Sequence, residues 1–274
     1  MEYRNKLKGT KKIVIKVGTS TLSHPNGKLN LMRIERLVRI MADLNNDGKQ
    51  VILVSSGAIA TGAAKMGITR KPDDKIKKQA LAAIGQAELI RIYDKFFEEY
   101  NKTCAQILLT KDGIINSIRR RNAMNTINEL LNMGIVPVIN ENDTVSTHEI
   151  EFGDNDTLSA AVATLVNADL LIILSDIDGM YTADPRKNHS ATLIHEVITF
   201  DEMIEGCVSG TGSVFGTGGM SSKILAAKHC MEHEVEMVIA NGEDPAVIFD
   251  VLNGDNIGTL FVSKHAGVTS VKYG

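Results

Sequence analysis

Lys16 and Lys223 each adjoin glycine and hydroxyl residues in a pattern suited to holding phosphate. Lys16 ends the apolar run Ile13-Val14-Ile15 and leads into Val17-Gly18-Thr19-Ser20. A strand that delivers a lysine into such a turn offers a cation together with backbone N–H donors. Lys223 follows Gly216-Thr217-Gly218-Gly219-Met220-Ser221-Ser222 and opens a helical stretch. A glycine-rich turn entering a helix offers the same pair with the helix dipole added. Two such places far apart in sequence predict a phosphoryl group gripped from both sides. Gly18 and Gly57 serve equally as plain turn glycines or as points of close phosphate approach, because both uses rest on the same missing Cβ.

The elements that must position these residues follow from the apolar pattern. Short runs rich in Ile, Val and Leu at 12–17, 50–55, 104–109, 135–139, 169–174, 236–240 and 258–263 predict strands. Helical patterns at 31–46, 57–66, 74–100, 117–133, 156–167, 219–232 and 245–252 separate them. The alternation predicts βαβ units on a parallel sheet covered on both faces. A soft division near residue 168 separates an N-terminal lobe from a C-terminal lobe sharing one sheet. Polar clusters fall where the strands end: Ser55-Ser56-Gly57-Ala58, Asn140-Glu141-Asn142-Asp143, Gly153-Asp154-Asn155-Asp156 and Ser175-Asp176. Singly, each reads as a helix cap. Together they predict a ligand crevice at the carboxyl ends of the strands. The stretch 206–219 contains six glycines and is the candidate cover over that crevice.

Composition excludes several classes. The chain has 274 residues, 43% hydrophobic and 23% charged, with a net charge of −3 and only 4% aromatic residues. No basic field or aromatic interleaving points to nucleic acid. Three scattered cysteines, Cys104, Cys207 and Cys230, lack metal-ligand or disulfide-framework spacing and suit a reducing compartment. The longest apolar runs are core-strand length and the N-terminus does not resemble a secretory signal, so a cytoplasmic location is expected and no membrane contact. The motifs GxxxxGK[ST] and GxGxxG after a strand are both absent. His229-Cys230-Met231-Glu232-His233 matches the H-x-x-E-H pattern of zinc proteases. Its histidines close a helix, where they favour the dipole, and no strong third ligand follows.

Taken in order, Ile15-Lys16-Val17-Gly18-Thr19-Ser20, Val54-Ser55-Ser56-Gly57-Ala58-Ile59, Ile139-Asn140-Glu141-Asn142-Asp143, Phe152-Gly153-Asp154-Asn155-Asp156, Tyr181-Thr182-Ala183-Asp184-Pro185 and Gly216 to Lys223 resemble the amino acid kinase family. The likeness runs from about residue 10 to about residue 262 and is strongest to the branch that phosphorylates glutamate. It implies an α/β/α sandwich with a central, mostly parallel sheet. It implies ATP-dependent phosphorylation of the γ-carboxylate of L-glutamate to L-glutamyl 5-phosphate, the first step of proline biosynthesis. Acetylglutamate kinase, aspartokinase, carbamate kinase and UMP kinase activities are rivals on the same fold, as is a catalytically silent ligand sensor. The I-N-E-N-D and G-D-N-D pair favours glutamate, and intact Lys16, Lys223 and Asp156 speak against the sensor.

The resemblance implies a role for each matching position. Lys16 and Lys223 neutralise the transferring phosphoryl group, and Asp156 orients both. Ser56, Asp143 and Asn155 bind glutamate, with Asn140 and Asp154 in the same loops. Gly18 and Gly57 lend N–H groups to the γ-phosphate. Ser175, Asp176, Thr217, Gly218, Gly219, Met220, Ser221, Ser222 and Lys223 match the nucleotide site, Ser175 standing where threonine is frequent. Magnesium travels on the ATP phosphates, with no metal ligand from the protein. L-proline is the expected inhibitor, a dimer or tetramer the expected assembly, and glutamate-5-semialdehyde dehydrogenase the expected recipient of the product. The PUA domain that follows the kinase domain in many bacterial members is not expected, since about a dozen residues follow Val262. The chemistry is self-consistent: a substrate carboxylate, with a reference pKa of about 4.3, is ionised at neutral pH and needs no general base. What it needs is positive charge and alignment.

Overall fold

The computed structural model describes residues 2–68, 73–145, 154–200 and 219–263. In chain order the helices are α1 (Glu2–Lys6), α2 (Thr19–Leu22), α3 (Leu31–Asn46), α4 (Ala58–Lys65), α5 (Lys75–Glu98), α6 (Lys111–Ile115), α7 (Ser117–Asn132), α8 (Asn155–Leu165), α9 (Met220–Glu232) and α10 (Val247–Leu252). The strands are β1 (Lys12–Val17), β2 (Gln50–Ser55), β3 (Cys104–Leu109), β4 (Val136–Glu141), β5 (Leu170–Ser175), β6 (Met180–Tyr181), β7 (Leu193–Ile194), β8 (Glu196–Val197), β9 (Glu236–Asn241) and β10 (Thr259–Phe261). Every expected strand and helix is present, with ends shifted by a few residues at most, as terminal fraying allows. The pattern did not predict α1, α2, α6 or the two-residue strands β6, β7 and β8. Segments this short hold their form through tertiary pairing, which leaves no periodic signal.

The main sheet has eight strands in the order β3-β4-β2-β1-β5-β9-β10-β8, and β6 pairs with β7 apart from it. Pairing is parallel except between β9 and β10. β1 therefore lies between β2 and β5, with β2, β4 and β3 on one side and β5, β9, β10 and β8 on the other. The crevice of an open α/β sheet opens where the order reverses in this way.

Successive strand residues face opposite layers. Ile13, Ile15 and Val17 of β1 share one core cluster with Leu53 of β2 and with Leu170, Ile172 and Leu174 of β5. Residues of α3, α5 and α10 such as Leu37, Tyr93 and Ile248 complete that cluster. Val14, with Ile52, Val54, Leu171 and Ile173, meets α8 and α9 residues such as Leu158 and Ile224 in the other. Two buried layers explain why the strands read as unbroken apolar runs. The same alternation sends Lys16 toward the α8 and α9 layer, while Ser55, at the end of β2, faces α5.

The crossing of α4 and α5 is unusually close. A Cβ on Gly85 would lie 1.7 Å from the Ala58 carbonyl oxygen, and one on Gly62 would lie 2.0 Å from the Leu81 carbonyl oxygen. Only glycine at both positions allows the two backbones to touch. The contact fixes the start of α4 against a long helix. No helix among the described residues is long and apolar enough to cross a membrane.

Candidate active site

Lys16 lies near the carboxyl end of β1, opposite Val54 of β2 and Ile173 of β5. Asp156 lies in the first turn of α8, where a carboxylate is favoured by the helix dipole. Lys223 lies in the first turn of α9. Lys16 Nζ stands 2.6 Å from Asp156 Oδ1, and Lys223 Nζ stands 3.1 Å from Asp156 Oδ2. Asp156 is fully buried, and the lysines are only 5% and 6% exposed. Each lysine thus claims one oxygen of a single carboxylate. Burial alone pushes the Asp156 carboxyl up, but the fields and hydrogen bonds of Lys16 and Lys223 outweigh it and hold it below the usual range. Two ammonium groups so share one buried carboxylate in a dry setting, where charge acts strongly.

Two neighbours complete this centre. Asp154 caps α8 by accepting from the Asp156 N–H at 3.2 Å, and its Oδ1 lies 4.0 Å from Lys16 Nζ. The Ser222 hydroxyl lies 2.9 Å from Asp154 Oδ2, 3.0 Å from Asp156 Oδ2 and 2.8 Å from the Gly219 carbonyl oxygen. Ser222 thereby ties α9 to the start of α8.

A second cluster is organised by Asn155. Its Nδ2 donates toward the Ser55 carbonyl at 3.0 Å, Ser56 Oγ at 2.9 Å and Asn140 Oδ1 at 2.8 Å. One amide so joins the ends of β2 and β4 to α8. Asn140 Oδ1 also accepts from the Glu141 N–H at 2.8 Å, which fixes the amide orientation. Asn140 Nδ2 is buried with no hydrogen-bond partner among the described residues. A buried donor in that state is suited to an acceptor brought by a ligand.

The two clusters border a cavity of ≈ 580 Å³ whose walls include Thr19, Lys28, Ser56, Gly57, Asn140, Asp143, Asp154 and Asn155. Its size suits a small molecule. Gly57 takes φ +101°, a left-handed conformation open to glycine, as it starts α4. Gly18, Gly57 and Gly219 precede α2, α4 and α9, and no side chain caps any of these three starts. A glycine cap offers no side-chain acceptor of its own to the first N–H groups, an arrangement that suits phosphate.

Of the residues singled out from sequence, Lys16, Asp154, Asp156, Ser222 and Lys223 form one network. Ser56, Asn140 and Asn155 form the adjoining one, and Asp143 lines the cavity beside them. Ser175 ends β5, with its hydroxyl 3.3 Å from Asp176 Oδ1, and pairs in register with Asn241 of β9. Gly219, Met220 and Ser221 lead into α9. Thr217, Gly218 and the rest of the glycine-rich 206–218 stretch lie outside the described residues. Sequence reasoning missed the wall formed by Thr19 and the Asn26-Gly27-Lys28 turn. The Asn-Gly pair signals a tight turn, but the isolated bridge Ser23 to Leu29 that folds it over the cavity has no periodic trace.

The histidine motif on α9 makes no metal site. His233 Nδ1 lies 2.8 Å from the His229 carbonyl oxygen, and His229 Nε2 lies 3.1 Å from Thr164 Oγ1. Burial first, then the nearby His233, lowers the His229 pKa. No group of three or more His, Cys, Asp or Glu side chains among the described residues could hold a metal.

The amino acid kinase family model matches residues 11–241. The glutamate 5-kinase of Clostridium perfringens is 52% identical over 265 residues, covering 95% of this chain and 98% of that protein. The glutamate 5-kinase of Listeria monocytogenes is 50% identical over the same length, covering 95% and 96%. Among solved structures, the isopentenyl phosphate kinase of T. acidophilum superposes with a TM-score of 0.64 at 18% identity, covering 92% of this chain and 100% of that one. UMP kinase from Bacillus anthracis gives 0.63 at 18% identity, covering 93% and 97%. The structural neighbours share the sheet and its layers, while the sequence relatives share nearly the whole chain. A buried carboxylate holding two lysines at the mouth of such a sheet thus has its family setting: the chain belongs to the amino acid kinase family.

Proposed function

We propose that the protein transfers the γ-phosphoryl group of ATP to the γ-carboxylate of L-glutamate, giving ADP and L-glutamyl 5-phosphate, the opening step of proline biosynthesis. Near-full-length identity to glutamate 5-kinases supports this reading. The observation that carries the mechanism is the Lys16–Asp156–Lys223 cluster.

A carboxylate oxygen attacks the γ-phosphorus while the bridge to the β-phosphate breaks, and the bridging oxygen leaves with ADP. No proton moves, so no general base is needed. The barrier comes from bringing anions together. Lys16 and Lys223 approach the transferred group from β1 and from α9, and Asp156 holds both ammonium groups in place before substrate arrives. Such preorganised charge lowers the barrier because nothing need reorient during reaction. Magnesium, bound to the nucleotide phosphates, supplies further neutralising charge. The N–H groups of Gly18 and Gly57 serve the γ-phosphate. Ser56, Asn140, Asp143, Asp154 and Asn155 hold glutamate, with Asp143 suited to its α-ammonium group. Ser175, Asp176 and the segment from Thr217 to Lys223 hold the nucleotide. The amino acid side of the domain then falls in about 1–168 and the nucleotide side in about 169–274.

Further parts of this reading concern regulation and setting. L-proline inhibits by competing at the glutamate cavity, the protein works in the cytoplasm as a dimer or tetramer, and its labile product passes to glutamate-5-semialdehyde dehydrogenase.

The test uses hydroxylamine to trap acyl phosphates as hydroxamates in the presence of Mg²⁺ and ATP. L-glutamate is compared with N-acetyl-L-glutamate, L-aspartate and UMP, with ADP release followed in parallel. Hydroxamate and ADP are expected with L-glutamate, and both are suppressed by L-proline. Turnover with another acceptor alone overturns the glutamate assignment.

A further inference from the structure

We propose that Tyr93, buried in α5, is a positioning residue for phosphoryl transfer: through Ser55 it holds the Ser56–Gly57 peptide so that the Gly57 N–H is aimed into the cleft. This rests on the reading of Gly57 as a donor to the transferred group.

Tyr93 has no exposed surface, and its ring sits in the same core cluster as Leu89 and Phe97. A phenylalanine would fill that space without a polar atom to satisfy. The Tyr93 hydroxyl instead reaches Ser55 Oγ at 2.9 Å, and Ser55 is also fully buried. Ser55 Oγ in turn donates to the Ser56 carbonyl oxygen at 3.1 Å. A serine hydroxyl carries one proton. With that proton committed to Ser56, the tyrosine must donate to Ser55. Burial, the largest influence on it, pushes the Tyr93 phenol above its ordinary value, so it stays protonated at neutral pH. The relay therefore runs one way, from Tyr93 O–H to Ser55 O–H to the Ser56 carbonyl.

Its effect follows from peptide geometry. The peptide is planar and trans, so its C=O and N–H point in opposite directions. Anchoring the Ser56 carbonyl on the inner, α5 side turns the Gly57 N–H outward, to the side where Ser56, Gly57 and Ala58 wall the cavity. The preceding peptide is held from the other layer, where Asn155 Nδ2 donates to the Ser55 carbonyl at 3.0 Å. Two successive peptides are thus clamped by α5 and α8. The left-handed φ of Gly57, +101°, leaves that residue few intrinsic restraints of its own.

The experiment measures Tyr93→Phe and Ser55→Ala in the full chain, with thermal melting to show that each folds. Tyr93→Phe is expected to lower kcat about five- to tenfold, the effect of losing one buried hydrogen bond at the transition state, with KM for glutamate changed less than about twofold. Calorimetry with Mg²⁺ should show weaker binding of the β,γ-imido analogue of ATP but unchanged binding of ADP, because Gly57 serves the γ-phosphate alone. Ser55→Ala should give the same losses, and the double variant no more than either single one. Wild-type kcat in Tyr93→Phe overturns the proposal, as does equal weakening of both nucleotides or additivity of the two substitutions. Should Tyr93→Phe not fold, Ser55→Ala carries the same test. Absence of glutamate turnover in the wild-type protein would sink the functional reading instead, while the analogue-to-ADP ratio still decides the relay.

Discussion

At the scale of single residues, the centre depends on one carboxylate shared by two cations. Lys16 and Lys223 are each almost fully buried against Asp156. Replacing either by alanine removes half of the preorganised charge and leaves Asp156 paired on one side only. We expect Lys16→Ala or Lys223→Ala to lower kcat by at least about a hundredfold, the cost of losing one preorganised electrostatic donor, with a far smaller change in glutamate affinity. Steady-state kinetics with varied glutamate checks this, and near-normal turnover in either variant would remove that lysine from the mechanism. These residues were legible in the sequence because a lysine beside glycines at a strand end or a helix start has few other uses. Ser55 and Tyr93 were not. A tyrosine among apolar neighbours on a long helix reads as core, and only its 2.9 Å contact with Ser55 shows the polar half of its role.

At the scale of elements, the site is only as well defined as the helix starts that frame it. The start of α4 carries Gly57 and Ala58, and the crossing with α5 at Gly62 and Gly85 fixes its position. A methyl group on Gly85 would collide with the Ala58 carbonyl oxygen at 1.7 Å, a backbone atom that cannot swing aside. Gly85→Ala is therefore expected to destabilise the protein by about 3 kcal/mol, the upper part of the range for overpacking, and to lower activity in whatever protein remains folded. Urea unfolding and the specific activity of the soluble fraction check the two parts. The strands and long helices around this crossing were readable because continuous apolar runs and 3.6-residue periodicity are local signals. The crossing itself was not, since a helical glycine reads as a weak point until its neighbour is known. The same holds for β6, β7, β8 and the turn at Asn26-Gly27-Lys28, which owe their form to partners distant in sequence.

At the scale of the whole molecule, the chain's beginning is fastened near its other end. Arg4 is 1% exposed, and its guanidinium donates to the carbonyl oxygens of His195, Asp255, Ile257 and Gly258 at 2.7–3.2 Å. It so ties α1 to the edge where β8 and β10 pair. Arg4→Ala would leave these carbonyls without their donor, at a cost of about 3 kcal/mol by the usual penalty for stranded buried acceptors. For a chain of this size the melting temperature should fall by roughly 6–10 °C, while kcat at low temperature should hold, because Arg4 touches none of the site residues. Calorimetric melting paired with an assay well below the transition separates the two. Loss of kcat in fully folded Arg4→Ala protein would show that this edge communicates with the cleft.

The lysines at positions 16 and 223, and the carboxylate at 156 between them, also order events in time. A chain emerging from the ribosome exposes the first lysine early and the second only when most of the sheet has been made. Partly synthesised chains thus lack the second lysine, and the Lys16–Asp156–Lys223 cluster closes only when α9 docks beside α8.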